Sequence, residues 1–143
     1  MAKKAKDSSS QSVPESVYQL KVTLDGIRPP IWRRIQVRGD ISLFKLHNIL
    51  QAVMGWYDYH LHQFSIEGEF YSVISREADM LGDDFKDEKK VKLSKVIPGE
   101  KFKFTYEYDF GDSWNHNILV EKIFKPQEDL LHPICLKGKR SAP

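Results

Sequence analysis

Imidazole, carboxylate and thiol groups gather in a few stretches of this sequence. They are the side chains that bind metals or move protons near neutral pH. His60 and His62 stand two apart in WYDYHLHQF, and Asp109, Asp112 and His116 crowd into YEYDFGDSWNH, residues Tyr106 to His116. Cys135 follows near the C-terminal end. His60, His62 and His116 are the candidate metal ligands, with Asp109 and Asp112 as carboxylate partners, and a divalent ion of the zinc type is the cofactor such donors would take. The chain has neither an HExxH motif nor a paired CxxC, and Ser113 lacks the Gly-x-Ser-x-Gly turn that presents a serine nucleophile. The same residues also suit plain structure. Asp109 and Asp112 can accept backbone N–H bonds at a turn, and the histidines can satisfy tyrosine hydroxyls or backbone groups in the core.

Arginine supplies the second pattern. IWRRIQVR carries Arg33, Arg34 and Arg38, preceded by Arg28, and Lys137, Lys139 and Arg140 form a basic end. Alternation places Trp32, Arg34, Gln36 and Arg38 on one strand face, a platform that phosphates or RNA bases could use. The plainer reading is an outer sheet face whose tryptophan is covered. Arg33 falls on the apolar side, at a strand end or beside an acid inside. Helix-turn-helix, RRM and zinc-finger signatures are missing, and a net charge of +2 is too small to imply nucleic acid by bulk electrostatics. Two functional readings stand. The first is a non-catalytic binding module for nucleic acid or a protein partner. The alternative is a metal-dependent or acid–base enzyme using a His/Asp cluster near the Asp109–His116 hairpin.

Periodicity predicts the elements that position these groups. Residues 1–16 are rich in Lys, Ser and Gln and read as a disordered tail. From Val17, alternation puts Tyr18, Leu20, Val22 and Leu24 on one face of a strand, and IWRRIQVR is a second strand beyond Pro29-Pro30. A helix runs from about Leu43 to Met54, capped by Asp40 or Ser42 and stopped by Gly55, with Leu43, Leu46, Leu50, Val53 and Met54 on its apolar stripe. His47 borders that stripe and reads as a hydrogen-bonded structural residue. In the next strand His60, His62, Phe64 and Ile66 share a face, which sets the two histidines about 6.5–7 Å apart along the backbone. Glu67-Gly68 turns into a further strand. READMLGDDFKDEKK reads as a solvated loop with room for one helical turn, and VKLSKVIPGE as a short strand or a turn of helix. In the hairpin, a loop at Phe110-Gly111-Asp112 pairs Tyr108 with Trp114, Tyr106 with His116 and Phe104 with Ile118. That register keeps the apolar faces together, with Gly expected at a left-handed position.

With YDFGDSW followed by His116, PPIWRRI upstream and HLHQF between, the chain from about Val17 to Pro143 resembles the plasmid pRiA4b ORF-3-like family. The shared pieces are Ile31-Trp32-Arg33, the Leu43–Met54 helix, Trp56, the His60–Phe64 strand, the Pro98–His116 hairpin and the Cys135–Pro143 segment. The resemblance implies an α+β fold, a mostly antiparallel sheet of about five to six strands with one main helix packed on one face. It imports no mechanism, since DNA-linked labels on some similar proteins are association rather than chemistry. Such proteins usually continue past the Ala-Pro segment into a C-terminal helix. The expectation here is a single domain over 17–143 without that extension.

Composition bounds the rest. A chain of 143 residues with 41% apolar content suits one domain with a real core. A single cysteine allows no internal disulfide, and no apolar run reaches membrane-spanning length. The expected setting is therefore cytoplasmic, away from membranes.

Overall fold

Eight strands make one sheet. The structure, a computed structural model, describes residues 16–58, 60–73, 85–109, 111–125 and 134–139. In chain order these form β1 (Val17–Leu24), β2 (Ile31–Arg38), α1 (Leu43–Met54), β3 (His62–Ile66), β4 (Glu69–Ser72), β5 (Phe85–Asp87), a 3-10 turn (Glu88–Lys90), α2 (Leu93–Val96), β6 (Lys103–Tyr108), β7 (Trp114–Phe124) and β8 (Ile134–Lys139). The sheet order is β5-β4-β3-β6-β7-β1-β2-β8. Every neighbouring pair is antiparallel except β4 and β5, which are parallel. The α+β class stands, but the expected five to six antiparallel strands become eight in a mixed sheet. The additions include the short edge strands β5 and β8, which arise in stretches without period-two patterning. At an edge, hydrogen bonds to one neighbour define the strand and no alternation is required.

Period two holds where both neighbours are present. Tyr18, Leu20, Val22 and Leu24 of β1, Ile31, Ile35 and Val37 of β2, Phe64 and Ile66 of β3, and Phe104, Tyr106 and Tyr108 of β6 are all buried. The helix α1 packs Leu43, Leu46, Ile49 and Leu50 into the same core. Each such leucine contributes about 1.5–3 kcal/mol of burial. Of the two expected caps, Ser42 is the one used, its hydroxyl accepting from Lys45 N at 3.0 Å. Asp40 instead takes a two-pronged bond from Arg38. Gly55 ends the helix at φ +79°, a left-handed conformation that glycine adopts without steric cost. Arg33 reaches that helix end, its Nε donating to Val53 O at 2.9 Å. The opposite sheet face is polar and tied together. Gln36 donates to Gln19, Gln19 to Glu121, and Arg34 forks onto the same Glu121.

The β6–β7 hairpin has the predicted register, with Tyr108 opposite Trp114, Tyr106 opposite His116 and Phe104 opposite Ile118. Left-handed backbone in this turn is carried by Asp109 (φ +61°) and Ser113 (φ +56°), rather than by Gly111. Within READMLGDDFKDEKK the loop expectation is corrected at residues 85–87, while the one helical turn allowed for is found at 88–90. They form β5 and a 3-10 turn, with Asp87 accepting from Lys89 N and Glu88 fully buried. The tail expected at 1–16 lies outside the described residues except Ser16, whose carbonyl accepts from Gly39 N at 2.8 Å. Phe110 and Arg140, and the side chains of Lys137 and Lys139, also lie outside them.

Gly39 tests this packing. It sits against the buried Tyr18 ring, which a Cβ would strike at Cε1 and Cδ1. Gly39→Ala is expected to destabilise the fold by about 1–3 kcal/mol. The readout is a lower urea midpoint with an unchanged slope, and an unaltered midpoint would contradict the packing described.

Candidate functional site

Five elements converge on a polar cluster inside this apolar core. In α1, His47 and Gln51 are four residues apart and so share one helix face, which here points at the sheet. From the sheet, β6 presents Tyr106 and β3 presents His62, whose neighbours across the pairing are Phe64↔Tyr106 and His62↔Tyr108. Beyond Gly55 the chain folds back on the helix, with Trp56 N donating to Gln51 O at 2.8 Å and Asp58 N to Gln51 Oε1 at 2.7 Å. Asp58 adopts φ +56° there. The 3-10 turn brings in Glu88. His47, Tyr106 and Glu88 are all 0% exposed.

Hydrogen-bond logic assigns the protons. The Asp58 N–H fixes the Gln51 amide with its oxygen outward, so Nε2 donates to the Tyr106 hydroxyl at 2.8 Å. Tyr106 O–H then donates to His47 Nδ1 at 2.6 Å, and His47 Nε2–H donates to Asp58 Oδ1 at 3.0 Å. Burial, and after it the coulombic influence of the His62 ring, hold the His47 imidazole down at about 4, against the raising effect of Asp58. Burial raises the Tyr106 phenol well above its ordinary range. His62 stacks face to face on His47, with ring centroids 3.5 Å apart and planes 8° from parallel. Its Nε2 lies 2.8 Å from both oxygens of Glu88. One ligating atom from each of His47, Asp58 and His62 lies within 4.8 Å of the others. Asp58 is the side open to solvent, its side chain 52% exposed.

The residues singled out from sequence are distributed differently. Of His60, His62 and His116, only His62 joins this cluster. His60 lies half in solvent before the start of β3, where its Nε2 is 3.6 Å from Asp109 Oδ2. His116 is fully buried. Trp56 Nε1 donates to its Nε2 at 3.3 Å, which puts the ring proton on Nδ1, donating to Tyr106 O at 3.1 Å. Both nitrogens are engaged, so no lone pair remains for a metal. The groups that the structure brings together are thus His47, Asp58 and His62 rather than the three histidines. Asp112 is exposed in the hairpin turn, its N–H directed at Asp109 Oδ1. Cys135 is exposed on β8, opposite Ile35. Arg33 serves the helix end, while Arg34 and Arg38 are paired with Glu121 and Asp40.

Sequence reading expected His47 to be hydrogen-bonded, as it is, but did not bring it together with Asp58 and Glu88. For His47 the signal was present. A histidine one turn before Gln51, both bordering an apolar stripe, marks a polar patch facing the core. Glu88 had no local signal, because a glutamate in FKDEKK looks like any solvated charge.

The sheet, the covering helix and the buried histidine–carboxylate cluster define an α+β protein with its polar centre inside the core. The family described as plasmid pRiA4b ORF-3-like protein matches residues 16–143, and the chain belongs to it. It is 40% identical over 129 residues to the uncharacterized protein y4hQ of Sinorhizobium fredii (strain NBRC 101917 / NGR234), covering 90% of this chain and 64% of that protein. The chain thus spans less than two thirds of that curated relative. It also matches the crystal structure of the protein of unknown function MM3350 from Methanosarcina mazei Go1. There the TM-score is 0.80 and the identity 41%, over 90% of this chain and 72% of the other. Among the described residues no helix is long and apolar enough to cross a membrane.

His116 gives a prediction on pH. Burial holds its imidazole down at about 4, below the ordinary 6.5. Between those values the unfolded chain takes up a proton that the folded chain refuses. Stability therefore falls as pH drops from 6.5 towards 4, by about 2 kcal/mol between pH 7 and 5 for this residue. His116→Gln is expected to lose that part of the pH dependence in thermal melts, and an identical slope in the variant would refute the assignment.

Proposed function

We propose that this protein is a metal-dependent enzyme, with a divalent ion held by His47, Asp58 and His62. The observation that carries this reading is that one ligating atom from each lies within 4.8 Å of the others, and the stacked imidazoles would have to tilt apart to aim both lone pairs at one ion. Two imidazoles and one carboxylate suit zinc, and also iron(II) with further positions open. Three protein ligands leave a place for substrate or water, as catalytic rather than structural sites do. The half-exposed side of Asp58 gives access to it. A bound divalent ion would acidify water and polarise a carbonyl or phosphoryl oxygen.

The chain's own groups set the ligand atoms. His62 Nε2 is occupied by Glu88, which leaves Nδ1. For His47 the ligand is Nε2, because Nδ1 faces Tyr106. Using Nε2 requires the neutral tautomer with the proton on Nδ1, and the Tyr106 hydroxyl turned to accept it. Tyr106 keeps its own proton, since burial raises its ionisation well out of reach.

A binding role for the basic face is the second reading. It is favoured by Lys21 and Arg34 flanking the Trp32 ring, at 5.1 and 5.2 Å from its centroid. The ion pairs of Arg34 with Glu121 and Arg38 with Asp40 weigh against it, because a phosphate would have to displace them.

The test is metal titration of untagged, chelator-stripped protein with Zn2+ and Co2+ against a chromophoric competitor. One ion per chain is expected. Asp58→Asn, altered at a half-exposed side chain, is expected to fold normally and to lose more affinity than the ~10–100-fold that outer partners of a metal ligand typically carry. No binding by the unaltered protein would sink the proposal.

A further inference from the structure

We infer that Glu88 is the charge partner of the metal ion across the His62 ring, a positioning residue that selects Nδ1 as the ligand atom and favours a doubly charged occupant. This rests on the metal reading above and extends it to a residue outside the ligand set.

The Glu88 side chain is 0% exposed, and that of His62 is 6% exposed. Both Glu88 oxygens lie 2.8 Å from one nitrogen, His62 Nε2, so a single N–H is shared between them. An ionised carboxylate offers about four acceptor sites. Among the described residues His62 is its hydrogen-bond partner, and no lysine or arginine lies within ion-pair distance of it. A buried charge served this sparsely is costly.

The compensation we infer is a cation bound at Nδ1 of the same imidazole. With Nε2 turned to Glu88, Nδ1 carries the ring's free lone pair. Among the described residues no donor meets Nδ1. A carboxylate that orients a histidine and raises its basicity is the recurrent outer partner of metal-bound imidazole. The arrangement also differs from the other dyad. Asp58, on His47, is half in solvent and can be a ligand itself, whereas Glu88 is sealed behind its histidine and acts only through it.

Glu88→Gln removes the charge and keeps the shape, and a small rotation lets its remaining oxygen accept the Nε2–H while the amide nitrogen turns off it. For the full chain we expect a 10–100-fold weaker affinity for Zn2+ and Co2+ alone and a shifted visible spectrum of the Co2+ complex. In the metal-free state we expect the variant to be at least as stable as the parent, since an under-bonded buried charge is removed. An ordinary structural ion pair predicts the reverse on both counts. The variant would be less stable without metal and would have an unchanged dissociation constant. Glu88→Asp, which keeps the charge, is expected to bind the ion more tightly than Glu88→Gln, and the opposite order overturns the inference. Failure of Glu88→Gln to fold without metal also overturns it. If the parent binds metal and Glu88→Gln binds within about threefold of it, the role of Glu88 falls while the metal centre stands. If the parent binds none, both fall.

Discussion

The hydroxyl of Tyr106 lies between sheet and helix, where its side chain has no exposed surface. A phenol placed there must exchange water for protein hydrogen bonds or lose on the order of 1–3 kcal/mol. Gln51 and His47 supply those bonds from consecutive turns of α1. Their own second groups then need partners, which Asp58 provides through its backbone and its carboxylate. The satisfaction of one hydroxyl thus fixes the rotation of α1 over the sheet, the return of the chain after Gly55, and the seat of the His47 ring. On the other edge of the same tyrosine, the backbone carbonyl orients His116, and His116 receives Trp56.

A second constraint is stacked on the first. His62 lies parallel on His47, and its presence there disfavours a proton on the His47 ring. Two carboxylates approach the pair from different sides, one at the surface and one sealed in the core. In the proposed reading, a divalent ion would bring two positive charges to these two carboxylates at once. That is the physical basis for reading the cluster as a metal centre. The surrounding apolar core, to which Phe64, Tyr106 and Leu46 belong, would then keep the local dielectric low and the interactions strong.

Much of the fold was legible because it is written in short-range patterns. Leu43–Met54 carried a stripe, a cap at Ser42 and a stop at Gly55, and the helix has those bounds. The hairpin register followed from keeping Phe104, Tyr106 and Tyr108 on the side of Ile118 and His116. Edge strands were not legible. Phe85–Asp87 and Ile134–Lys139 become strands by pairing with one neighbour, and nothing in their own composition requires it. For the site, His62 was found because its strand face could be counted. His60 was misassigned to the same face, because alternation was extended two residues beyond the true start of β3.

By itself, the sequence determined which residues face inward along each central strand and along α1, since those faces repeat with the local backbone period. It also determined that His62, Tyr106 and His116 would be on the packed side of the sheet. Only the tertiary structure decided which of them meet. His47 and Tyr106 are 59 residues apart, and His62 and Glu88 are 26 apart. Such pairings depend on how the helix crosses the sheet and where a 3-10 turn enters the core. Local periodicity carries no information about either, because each is selected by the closing of long loops around a buried hydroxyl and a buried charge.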